Sequence, residues 1–191
     1  MVSGIGMFAQ LDISHAMVKN YDGYVLLPDG EREYGEVHYA KKLFGGKLNK
    51  IIFIDKQGYQ TKFRASQLMG FGVNGQDYVS KDIDDVPFFL RQVVQGEFSL
   101  YFMEYNYVRR HLLPRDVQST HGSKGRTISM YVEKNGHMHR MFKNSFKKQS
   151  DRLFGSKTLV KQRIDNQTLD FFDMEKIIKL CNTNEQSPVN G

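Results

Sequence analysis

The chain reads as an α+β protein. An antiparallel meander of barrel-like or sandwich-like form spans about residues 21–142, and a small helical subdomain follows over 143–182. Three observations predict this. Between Tyr21 and Phe142, short apolar and β-branched runs are broken at regular intervals by glycine-containing turns. No segment of helical length and period separates those runs, which argues against a parallel, doubly wound sheet. After Phe142 the apolar spacing changes from alternation to that of a helix.

The elements follow in order. Pro28-Asp29-Gly30 divides the run from Tyr24 to Leu27 from the run from Tyr34 to Tyr39, and Lys56-Gln57-Gly58 divides Ile51 to Ile54 from Tyr59 to Phe63. The stretch Gly70-Phe71-Gly72-Val73-Asn74-Gly75 matches G-x-G-x-x-G, yet a β-favouring segment follows it where a phosphate loop needs a helix N-terminus. The kinase variant of that loop needs Val two residues past the third glycine, and Asp77 stands there. Asn74-Gly75 is instead a type I′ hairpin signal, so this stretch is read as a hairpin. Gln95-Gly96 and Asn135-Gly136 mark two more turns. Counting back through the latter pairs Val132 with His139, Met130 with Met141 and Tyr131 with Arg140, the last as a cation–π contact.

Helices are expected over Ser145 to Phe154, closed by Gly155, and from a Ser156 cap through Ile164. A last helix starts near Asp170 and places Phe171, Met174, Ile177, Ile178 and Cys181 on one stripe. That setting gives Cys181 a packing role. Residues 183–191 read as a mobile tail, and Ser119 to Arg126 as a basic disordered loop.

No catalytic, cofactor or metal site emerges. His137 and His139 share a strand face but have no third ligand at suitable spacing. Ser145 and Lys148 satisfy S-x-x-K without its partner motifs, and Asp82 to Asp85 begins like a calcium loop without the later glycine and glutamate. An enzyme whose residues come from scattered strands, such as a small hydrolase, would leave no linear signature.

Charge is the one feature with functional content. The net charge is +6, but from Lys134 to Arg163 nine basic residues face the single acid Asp151, an excess of eight. The rest of the chain is therefore two charges negative. Lys143, Lys147, Lys148, Arg152, Lys157, Lys161 and Arg163 are the candidate partner-binding residues, set against the plainer reading of a solvated helical face. Phe142, Phe146 and Phe154 lie among them as stacking aromatics would in a nucleic-acid binder, although Phe142, Phe146 and Leu153 also have the spacing of a buried stripe. Residues 1–10 are uncharged and apolar, so the first twenty residues read either as the remnant of an export signal lacking its basic region or as an N-terminal arm.

The segments GYVLLPDGEREYGEVHYA, IIFIDKQGYQTKFRASQLMGFGV, FLRQVVQGEFSLYFME, MYVEKNGHMHRMFKNSFKK and LDFFDMEKIIKLCN resemble, in pattern and order, a family of exported, function-unassigned cell-envelope proteins of Bacteroidota. The resemblance spans roughly residues 20–182. It implies a β-rich domain with a small helical C-terminus and an exported location, and it transfers no functional residue. The expectation is a non-enzymatic periplasmic or outer-membrane-associated binding or structural protein. Its basic helical surface would meet an envelope protein or an anionic envelope component. The rival expectation is a cytoplasmic nucleic-acid-binding protein using residues 134–163.

Overall fold

The computed structural model describes residues 19–39, 47–109 and 123–183. The export-signal reading, the first part of the expected basic loop and the expected tail beyond Thr183 fall outside these residues.

Among the described residues, ten strands form one antiparallel sheet that does not close: β1 (Lys19–Leu26), β2 (Arg32–Tyr39), β3 (Lys50–Ile54), β4 (Gln60–Arg64), β5 (Gly70–Val73), β6 (Gln76–Ile83), β7 (Val86–Val94), β8 (Phe98–Arg109), β9 (Ser123–Lys134) and β10 (His137–Met141). Three helices follow among the described residues, α1 (Phe146–Phe154), α2 (Thr158–Asp165) and α3 (Met174–Asn182). The fold is therefore α+β, as the pattern predicts. None of the helices is long and apolar enough to cross a membrane.

Local chemistry sets the hairpins. Asn74-Gly75 and Asn135-Gly136 both have positive φ at each residue, the type I′ geometry that matches the twist of the flanking strands. Asp84-Asp85 makes a similar turn between β6 and β7, with φ of 53° and 61°, so these acids are turn residues. The last hairpin has the expected register, with His139 opposite Val132 and Met141 opposite Met130. Ser123 to Arg126, expected in a loop, instead extend β9 and pair with β8 from Asn106 to Arg109, because the backbone ladder continues outward from the well-packed part of the hairpin.

The strand order is not sequential throughout. β1 lies between β2 and β5, so two meanders, β1 to β4 and β5 to β10, share one seam. Only Ala65 to Met69 joins β4 to β5, although four interstrand steps separate them in the sheet. In a flat sheet those steps would span roughly 19 Å, more than this short link reaches with a 3-10 turn over Ala65–Gln67. The sheet must curl. It does so until the Phe89 amide of β7 donates to the Leu48 carbonyl ahead of β3, at 2.8 Å.

Inside the curl lie Val25, Val37, Ile51, Phe53, Leu68, Phe71, Tyr78 and Phe89. The Phe71 ring stacks on Tyr78 at 4.6 Å and meets the edge of Phe89 at 4.9 Å. By strand alternation the same face of β8 and β9 presents Phe98, Leu100 and Val132, and there the three helices cover it with Leu153, Phe154, Val160, Met174, Ile177, Ile178 and Cys181. Burying each such side chain contributes about 1.5–3 kcal/mol. Burial pushes the Cys181 thiol up to about 12, consistent with a packing role. Tyr101, Met103 and Tyr131 on the opposite face belong to a third buried cluster with Phe88 and Leu90.

Two helix boundaries differ from expectation. Lys157, not Ser156, precedes the first turn of α2, and no side chain caps it. Gly155 has φ of −58°, an ordinary right-handed value, so the chain turns there without a left-handed glycine. Asp170 does cap, accepting the Phe172 amide at 2.7 Å, and so opens a 3-10 turn that leads into α3.

Candidate functional site

The structure divides the basic segment in two. Lys161 pairs with Asp151 at 2.8 Å and with Asp165 at 3.0 Å, and Lys147 reaches Asp165 at 3.3 Å. Lys157 meets Glu97 at 3.0 Å and stands 5.5 Å over the Phe98 ring. The Lys143 ammonium lies 4.7 Å over Phe172. Lys148, Arg152 and Arg163 have no ion pair among the described residues. Four of the seven candidate cations are thus engaged within the molecule, and Lys148 and Arg152 stand exposed one turn apart on α1. A charge count along the chain missed this because Asp165 lies just past the interval and Glu97 sixty residues before Lys157.

The basic surface continues onto the hairpin of β9 and β10, which carries Lys134, His137 and His139 on one face. Two anchors hold α1 along the edge strand β10. The Gln149 carboxamide donates to the Arg140 carbonyl at 2.8 Å and accepts the Phe142 amide at 2.9 Å, as a neighbouring strand's peptide would. One turn later the Leu153 carbonyl accepts the Lys134 ammonium at 2.8 Å. Arg152 is thereby brought to the face of β10 that carries His137 and His139. Burial, and then the positive charges of Arg152, His137 and Lys134, lower the pKa of His139. Such neighbours oppose a metal cation, and among the described residues no three His, Cys, Asp or Glu side chains are grouped to hold one.

The aromatic residues of the segment separate as well. Phe146 and Phe154 are buried, but Phe142 is 45% exposed, contrary to its expected place in the buried stripe. The cause is that Phe142 lies between the end of β10 and the 3-10 turn Lys143–Ser145 that precedes α1, so helical spacing does not govern it. Arg140 lies 5.0 Å over the Phe142 ring and donates to Ser129 at 3.1 Å. The Ser145 hydroxyl meets Gln149 rather than serving an S-x-x-K site.

Two further polar arrangements lay beyond reading from the sequence. On the outer face of the curl an open cleft of about 640 Å³ is lined by Tyr24, Tyr34, Asp22, Glu36, Asp55 and Asp77, among others. Tyr24 lies over Gly72, where any side chain would collide with its ring, and donates to Asp77 at 2.6 Å. Burial and that bond push the tyrosine up to about 12. Glu36 pairs with His38, and Asp55 accepts two amides of its own turn. Most of the carboxylates are thus occupied, and among the described residues no Ser, Cys or His lines the cleft.

The other arrangement joins Lys81 of β6, Tyr101 of β8 and Glu133 of β9. Glu133 accepts from Lys81 at 2.8 and 2.9 Å and from Tyr101 at 2.7 Å. Burial alone would raise the Glu133 pKa, but the bonds from Lys81 and Tyr101 and the lysine's charge outweigh it, so the value is lowered. Lys81 is correspondingly raised despite its burial. A carboxyl whose folded value is depressed stabilises the fold above its unfolded pKa and loses that contribution as pH falls through the folded value. Acid unfolding curves should therefore show stability lost from about pH 5 downward. Glu133→Gln should lower stability at pH 7 and flatten that slope, and an unchanged slope would refute the assignment.

Comparison of the chain with protein-family profiles, with curated proteins and with solved structures found no match.

Proposed function

We propose that this is a non-enzymatic binding protein of the cell envelope, periplasmic or associated with the outer membrane, which meets an anionic envelope component or an acidic protein through its helical face. The observation that carries the reading is the split of the basic segment. Lys147, Lys157 and Lys161 are neutralised by carboxylates of the same chain, while Lys148 and Arg152 stand exposed without a counterion among the described residues. Exposed charges without an internal partner contribute little to folding and remain free to attract a partner. The resemblance to exported envelope proteins supplies the compartment.

The test is co-sedimentation of the purified protein with isolated envelopes of a Bacteroidota host. Lys148→Glu with Arg152→Glu should abolish it, while Lys147→Glu should leave most binding and cost under about 1 kcal/mol of stability. Equal loss in both variants, or none in the first, would refute the assigned surface. Salt dependence separates this reading from nucleic-acid binding. Neutralising some six phosphates of duplex DNA would give a log–log slope of about −5, whereas contact with an acidic protein through Lys148 and Arg152 would depend weakly on salt.

A further inference from the structure

The geometry points to a site for a tetrahedral oxyanion, a phosphate or sulfate group, held between Arg152 of α1 and His139 of β10, with Lys134 and His137 beside them. The inference rests on the proposed role of the helical face and names the chemical group that this face receives. The anchors through Gln149 and Leu153 bracket the strand and set α1 against it. His137 lies opposite Lys134 in the hairpin register, and His139 is two residues further on the same face. Arg152 comes from α1 and His137 and His139 from β10, while Lys134 of β9, whose ammonium donates to Leu153 and lies 4.9 Å over Phe98, contributes its charge rather than a free donor. The nearby acids are turned elsewhere, Asp151 to Lys161 and Glu133 to Lys81 on the opposite face of the sheet.

Arg152 offers a planar fork of donors suited to phosphate or sulfate, and it has no ion-pair partner among the described residues to displace. The half-buried His139 ring supplies one donor when neutral and two when protonated. Its neighbours now disfavour the protonated ring. A dianion in their midst reverses that balance, so binding takes up a proton. By reciprocity, the anion is held more tightly below the folded pKa of His139 and is released as pH rises through it.

Sulfate is the probe, because its charge stays constant over the range in which histidine titrates. The His139 ring, assigned in NMR spectra by comparison with His139→Gln, is titrated in sodium sulfate and in sodium chloride of equal ionic strength. Sulfate should raise the His139 pKa by about one unit, equivalent to tenfold tighter binding by the protonated form. Arg152→Gln should abolish this rise and lift the resting pKa in chloride. Because Arg152 is exposed and has no ion-pair partner among the described residues, the variant should fold normally. Identical titrations in the two salts, or an undiminished rise in Arg152→Gln, would overturn the site.

Vesicles of phosphatidylcholine containing phosphatidic acid separate two sources of the anion. Sedimentation that depends on Arg152 places the group on a lipid, whereas sulfate binding without sedimentation places it on a soluble or polymer-borne ligand. If the sulfate effect is absent while the double charge reversal still abolishes envelope binding, the oxyanion site fails and the proposed function stands. Loss of both results removes both.

Discussion

Replacing Asn182 by alanine should destabilise the protein by about 2–4 kcal/mol, a fall in Tm on the order of 10 °C for a chain of this size. The reason is geometric. The Asn182 carboxamide, on the last turn of α3, accepts the Phe98 amide at 2.8 Å and donates to the Phe98 carbonyl at 2.8 Å. It completes the backbone bonding of β8 at its first residue, whose ring is wholly buried against Phe154. Truncation leaves both backbone groups without these partners at the edge of the helix-covered core, and each such loss costs about 1–3 kcal/mol. Asn182→Leu should be equally damaging, since size without a hydrogen-bonding amide does not repair the loss.

Gly96→Ala should reproduce part of the effect from the other side, because a methyl group there collides with the Asn182 carboxamide. Thermal unfolding of the three variants is the measurement, and wild-type melting of Asn182→Ala would show that the clasp contributes nothing. Gln149 makes the same kind of bond to β10. The helical subdomain therefore grips the sheet through two side-chain amides as well as through its apolar face.

Gly23→Val should be the most damaging single substitution in the β domain, costing upward of about 3 kcal/mol. Gly23 sits in β1, the strand that joins the two meanders, opposite Gly35 on one side and Val73 on the other. A Cβ at this position would collide with the Gly72 carbonyl oxygen, a backbone atom of the neighbouring strand that cannot rotate away. Relief requires β1 and β5 to part, which opens the seam and exposes Val25 and Phe71 on either side of it. Glu33→Val is the control, adding the same β-branched group at an exposed position of β2, and it should change stability by roughly 0.5 kcal/mol or less. Denaturant midpoints compare the two. A Gly23→Val midpoint equal to that of the control would mean that the seam tolerates a side chain.

Interactions between near neighbours along the chain made a large part of the molecule legible from sequence. Asn74-Gly75 and Asn135-Gly136 specify their turns because few residues tolerate two successive positive φ angles, and the second turn then determines the register that places His139 opposite Val132. The stripe Met174, Ile177, Ile178 and Cys181 follows from helical period alone. For the candidate site, the sequence identified the cations as a group and placed His137 and His139 on one strand face.

Tertiary structure decided the rest, because it depends on which distant segments meet. The pairing of β1 with β5, and the curl that a short β4–β5 link then requires, depend on which distant strands meet, a condition no local preference encodes. Which lysines keep a free charge depends on carboxylates brought to them by the fold, Asp165 beside Lys147 and Lys161, and Glu97 beside Lys157. The setting of His139 beside Arg152 depends in turn on the Gln149 and Leu153 anchors that lay α1 along the sheet edge. Propensity and periodicity act over a few residues and determine the elements, whereas charge compensation and convergence act through space and are settled only once those elements have packed.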